Sequence, residues 1–160
     1  MTSHNRDAWR GLIVEDPIEP DLPIIDPHHH IWPNAPASGT EAWGPEGLFA
    51  YKSGCGHNIV ATMFVESGVE YRSDGPPELM CVGETEFAEQ VGRDAEARGG
   101  ALSGAVAGVV AGADMMRGAA VADVLDAHLE ASSRVRGVRS LTAWDADIPY
   151  EMGTRAGMLV

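Results

Sequence analysis

The chain has 160 residues, 44% of them hydrophobic and 22% charged, and a formal net charge of −13. That length supports one ordinary domain with a real core, and the acidity argues against a nucleic-acid partner because no basic stripe offsets it. No run of about 18 apolar residues marks a membrane span, no basic-then-apolar leader is present, and Cys55 and Cys81 lack CxxC spacing, so the expected location is the cytoplasm.

Residues 1–22 are polar and acidic, with Pro17 and Pro20, and read as an irregular lead-in to a domain spanning 23–160. "PIID" is a short apolar run of the kind a buried strand uses. It is expected to stop at Asp26–Pro27, where proline removes a ladder donor. Residues 33–57 carry Pro33, Pro36, Pro45 and seven glycines or serines, and read as one long loop. "IVATMFVES", Ile59 to Ser67, is rich in β-branched residues and predicts a second buried strand.

A second loop follows, and then "ETEFAEQVGRDAEARG" predicts a helix. Phe87, Val91 and Ala95 recur every four residues, Glu84 and Glu86 fall in the first turn where the dipole favours them, and Gly99 ends it. "SGAVAGVVAGAD" predicts a third strand, small and buried on both faces. In "GAAVADVLDAHLEAS" the residues Val121, Val124, Leu125, His128 and Leu129 share one helical stripe. "RVRGVRSLTAWD" predicts a fourth strand. Strands alternating with amphipathic helices indicate an α/β fold of parallel βαβ units.

The run His28-His29-His30 carries the chemistry. In an extended strand Asp26, His28 and His30 share one face and His29 takes the other. Two imidazoles two residues apart at a strand end can grip one cation, and zinc takes such ligands at about 2.0–2.1 Å. Asp26 is placed to fix an imidazole from behind. A solvated histidine-rich turn is the alternative. "AGVVAGAD" lacks the G-K-[ST] ending of a phosphate loop, so nucleotide binding is rejected.

"IIDPHHHIW" resembles the first-strand D-x-H-x-H motif of the amidohydrolase-related (amidohydrolase 2) family. "GHNIVATMFVES", "VGETEFAEQVG", "AVAGVVAGADM" and "VRGVRSLTAWD" are similar, in the same order, to the following elements of its lactonase-like branch, so the likeness covers about residues 20–160. It implies the first half of a (β/α)8 barrel with its site at the carboxyl ends of the strands. It implies His28 and His30 as ligands of a divalent metal, zinc being the expected ion. A further histidine and a general-base aspartate belong to later strands, beyond residue 160. A barrel takes about 250 residues, so the chain is expected to be a truncated product.

Within that frame Glu66 ends the second strand at the barrel mouth, and Arg139, suited to holding a carboxylate, lies near the end of the fourth. Both are candidate substrate contacts, as is Trp32; Trp43 is a candidate pocket wall. Serine at position 140, where the branch often has histidine, is a departure. His57 falls at the amino end and reads as a loop anchor. His128 reads as core, and His29 as facing the helical layer. Neither cysteine has a paired base in view.

Two functions follow. One is hydrolysis of a lactone, amide or related small carbonyl compound by a metal-activated water, with decarboxylation as a variant within the same family. The other is a non-catalytic half-barrel that self-associates or binds a partner through its open strand edges.

Overall fold

Strands and helices alternate through the part of the chain described by this computed structural model, which comprises residue 12, residues 15–34 and residues 42–140. The four strands are β1 (Ile24–His29), β2 (Ile59–Val65), β3 (Gly108–Gly112) and β4 (Val135–Arg139). They form a single sheet in the order β1-β2-β3-β4, and every neighbouring pair is parallel. The α-helices are α1 (Pro45–Gly54), α2 (Val82–Arg98) and α3 (Ala122–Ala131), one in each crossover. The chain is thus an α/β protein built from consecutive βα units. Among the described residues no helix is long and apolar enough to cross a membrane.

Two differences from the sequence reading shape the region around the site; in addition, the third strand, read from Ser103, begins only at Gly108, and the helix read from Gly118 only at Ala122. The first strand runs through Pro27 instead of stopping before it. β1 lies at the edge of the sheet among the described strands, and its register with β2 slips between Asp26 and His29, a place where a missing N–H is tolerated. The second difference is α1, which lies inside the segment read as one long loop. Pro45 opens it, with a fixed φ that suits the first helical turn. Glu46 sits in that turn, and Leu48, Phe49 and Lys52 are its buried face. With a lysine on that face and glycines at both ends, its apolar periodicity is too short to read.

Short 3-10 turns at Pro77–Leu79, Gly100–Leu102 and Met115–Val121 complete the connections. The loop from β2 to α2 is shaped from within. Glu84 Oε1 accepts the main-chain N–H groups of Ser67 (2.7 Å), Gly68 (2.9 Å) and Val69 (3.2 Å). Its side chain is buried, so its role goes beyond the expected one of facing the helix dipole.

The core lies between the sheet and the helices. Phe64, Val109 and Ala111 from the strands meet Leu48 and Phe49 of α1 and Ala88, Val91 and Ala95 of α2. A second cluster joins Val82, Ala113, Val121 and Val124. Of the stripe expected on α3, Val124 and His128 are buried, whereas Leu129 is 59% exposed. Close backbone approach sets one glycine: a Cβ on Gly104, whose φ is +81°, would sit 2.2 Å from the Val60 carbonyl oxygen.

Candidate metal centre

His28, in β1, and His30, just past its end, project to one side, as the period of two in extended chain requires, and their Nε2 atoms stand 3.3 Å apart. The rings are close to perpendicular, with centroids 5.0 Å apart. Two nitrogens bound to one tetrahedral zinc at about 2.0–2.1 Å would lie about 3.4 Å from each other. The pair therefore already has the spacing of two ligands of one ion. It is also within reach of a long hydrogen bond from one ring to the other, which can hold the pair together without metal.

The second imidazole is oriented by the main chain. His30 Nδ1–H donates to the Val65 carbonyl at 2.7 Å. That bond leaves Nε2 with its lone pair facing His28, the arrangement metal-binding histidines use. Burial, the largest influence, pushes the His30 pKa below its ordinary value, with the His28 and Arg139 charges acting in the same direction. The neutral, ligating form is favoured.

Glu66 and Arg139, both candidate substrate contacts, are brought together. Glu66 follows β2 and is only 2% exposed. Arg139 Nε donates to its Oε1 at 2.8 Å, and Arg139 Nη2 donates to the Glu66 main-chain oxygen. Gly112 at the end of β3 leaves the space, since a Cβ there would meet Glu66 Oε2 at 3.1 Å. The ends of all four strands thus converge on one patch. Trp32 lies beside it, its ring 5.5 Å from that of His30, and its main chain is tied to that of Trp43 by N–H···O bonds of 2.9 and 2.8 Å.

Asp26 takes a different place from the one expected. Its carboxylate accepts the main-chain N–H of His28 at 3.1 Å rather than holding an imidazole. The intervening Pro27 favours this turn-like bond, which aspartate makes readily to the N–H two residues on. His29 faces the other way. Its Nε2 shares a hydrogen bond of 2.9 Å with Thr62 Oγ1, and burial lowers its pKa to about 4.

Sequence reasoning missed one buried cluster. His128 Nε2–H donates to the Gly112 carbonyl at 3.1 Å, and its Nδ1 accepts from the Thr85 hydroxyl at 2.9 Å. Cys81 Sγ lies 3.6 Å from Nε2. These partners are 16 to 47 residues apart in sequence, so no local pattern announces them. Because the Nε2 proton is committed to a carbonyl, the imidazole is no base for Cys81. It ties α3 to α2 and to the end of β3. His57 is exposed before β2, and its main-chain oxygen accepts the N–H of Ile59.

Among the described residues no group of three or more His, Cys, Asp or Glu side chains is placed to hold a metal. His28 and His30 fit two positions of such a site. The general-base aspartate expected beyond residue 160 lies outside the chain, and residues 141–160 lie outside the described residues. The fold and this patch define an α/β protein with a two-histidine centre at the carboxyl ends of a parallel sheet. Comparison with protein-family models, curated proteins and solved structures finds no match.

Proposed function

We propose that the chain forms the amino-terminal part of an amidohydrolase-type (β/α)8 barrel, a metal-dependent hydrolase of a lactone, amide or related small carbonyl compound. The observation that carries this reading is the 3.3 Å approach of His28 Nε2 to His30 Nε2, with His30 oriented by the Val65 carbonyl. Sequential parallel βα units in the order 1-2-3-4 are the arrangement a barrel of this kind begins with. A divalent ion, with zinc expected, would polarise a carbonyl and lower the pKa of a bound water when present. His28 and His30 would hold it, and further ligands and the general base would come from outside the described residues. Arg139, held by Glu66, places a fixed positive charge near the pair, where a substrate carboxylate can be received.

Cobalt(II) titration followed by visible absorption tests the centre. The expected result is binding with a tetrahedral-type spectrum and a loss of affinity of about 100-fold or more for His28→Ala and His30→Ala. Unchanged affinity in the double variant would remove the reading. Hydrolysis of a panel of small lactones and amides, in the longest chain that contains this sequence, tests the reaction.

The free edges of the sheet favour a second reading. β1 and β4 each have one neighbour among the described strands, and unpaired edges invite pairing. On this reading the chain self-associates and hydrolyses nothing. Sedimentation as a concentration-dependent dimer without metal binding would support it.

A further inference from the structure

Lys52 is the sole lysine of the chain. It lies in the last turn of α1 and is only 6% exposed. Its ammonium donates to the carbonyl of Ala101 at 2.7 Å and to the carbonyl of Ile59. Among the described residues no carboxylate pairs with it. This is unusual in a chain with 24 acidic residues and 11 lysines and arginines. Burying a cation without a counter-ion is costly, and two carbonyl dipoles offset only part of that.

The lysine also lines a cavity. About 250 Å³ opens beside it, walled by Lys52, His57, Asn58 and Ser103, with Ile59, Val60, Gly100 and Ala101 completing the lining. Among the described residues no carboxylate is in that wall. The cavity lies where β2 begins, at the opposite end of the sheet from His28 and His30. An ammonium uses three donors, and two of them are spent on Ile59 and Ala101. The Ser103 hydroxyl has no hydrogen-bond partner among the described residues, and His57 adds a ring N–H.

We propose that this cavity binds a small phosphate-class oxyanion, either free phosphate or the phosphate end of a monoester, with Lys52 as its counter-charge and His57 and Ser103 as further donors. Three donors from separate backbone segments suit a tetrahedral acceptor better than a planar carboxylate. Burial, the largest influence, holds the Lys52 amine below its usual pKa range. A bound anion reverses that influence, so binding and protonation of Lys52 are linked. The site stands independently of the metal centre.

A single lysine makes the test direct, because uniformly 15N-labelled protein has one side-chain ammonium signal. Inorganic phosphate is titrated at constant ionic strength, with methyl phosphate, acetate and chloride in parallel. The expected result is a saturable shift of the Lys52 Nζ signal and of the amides of Gly100 to Ser103 with phosphate. Lys52→Met abolishes the amide shifts, and Ser103→Ala weakens binding about three- to tenfold, the scale of one hydrogen bond. Methyl phosphate binding as well as phosphate assigns the monoester as an acceptable source, and phosphate alone assigns the free ion. The proposal is overturned if the shifts are linear, if chloride or acetate reproduces them, or if Ser103→Ala and His57→Gln bind as the parent does. The last pair decides the matter even if Lys52→Met does not fold.

Discussion

At the carboxyl end of the sheet a carboxylate, Glu66, is buried against a guanidinium from another strand. At the amino end an ammonium, Lys52, is buried against main-chain carbonyls, with no carboxylate paired to it among the described residues. Both ends sit on the same four strands, so the difference is in what each end is free to receive. The Glu66–Arg139 ion pair serves as a rigid frame beside His28 and His30, whose Nε2 atoms stand 3.3 Å apart, a spacing that suits a bound cation. Lys52 instead lines an open cavity with no carboxylate in its lining among the described residues, a setting that suits an anion. Partner choice, more than strand position, decides the local electrostatics of this sheet.

The contrast can be broken in several ways. Phe64 is fully buried near the carboxyl end of β2, the strand that links both ends. Phe64→Ala is expected to cost about 3–5 kcal/mol, and denaturant unfolding should show both ends lost in one transition. A separate transition for either end would show that they are not one cooperative unit.

Acid comes next. His29 has a folded pKa of about 4 against an ordinary 6.5, so between those values the unfolded chain binds the proton first. Its contribution is fully present above about pH 6.5 and falls as pH drops to 4, by up to about 3 kcal/mol. Measured in metal-free buffer, His29→Gln should flatten that part of the stability profile. A profile unchanged by the substitution would show that the loss comes from other groups.

Removing the frame at the carboxyl end should cost somewhat less. Arg139→Ala leaves a buried carboxylate, but the arginine is itself 29% exposed, so the expected loss is about 2 kcal/mol. The double change with Glu66→Gln should recover part of it. A loss in the double variant equal to the sum of the two single losses would mean that the pair is not coupled. At the bottom of the scale, Arg98 and Glu46 form an exposed ion pair. Glu46→Gln should leave Tm unchanged within error, which makes it the control for the other substitutions.

Much of this architecture was legible in the chain. The apolar runs at Ile59 and Gly108 and the stripe through Val91 and Ala95 predicted elements that the structure contains. The alternating faces of His28, His29 and His30 followed from strand period alone. The helix Pro45–Gly54 was hidden, because Pro45 and Gly54 read as loop residues and Lys52 breaks the apolar face. Glu84 had a local reading, at the first turn of a helix, that concealed a long-range one. The Lys52 site left no local signal, since Lys52 and Ala101 are 49 residues apart.

The sequence by itself determined the alternation of strands and helices, the parallel class of the sheet and the shared face of His28 and His30, because each depends on periodicities of two or about four residues that neighbours along the chain express directly. That His30 is oriented by Val65, that Glu66 meets Arg139 and that Lys52 is buried with no carboxylate paired to it among the described residues was settled by the tertiary structure alone. Those outcomes depend on which distant groups the βα crossovers bring within about 3 Å of each other, a hydrogen-bond distance that no local pattern encodes.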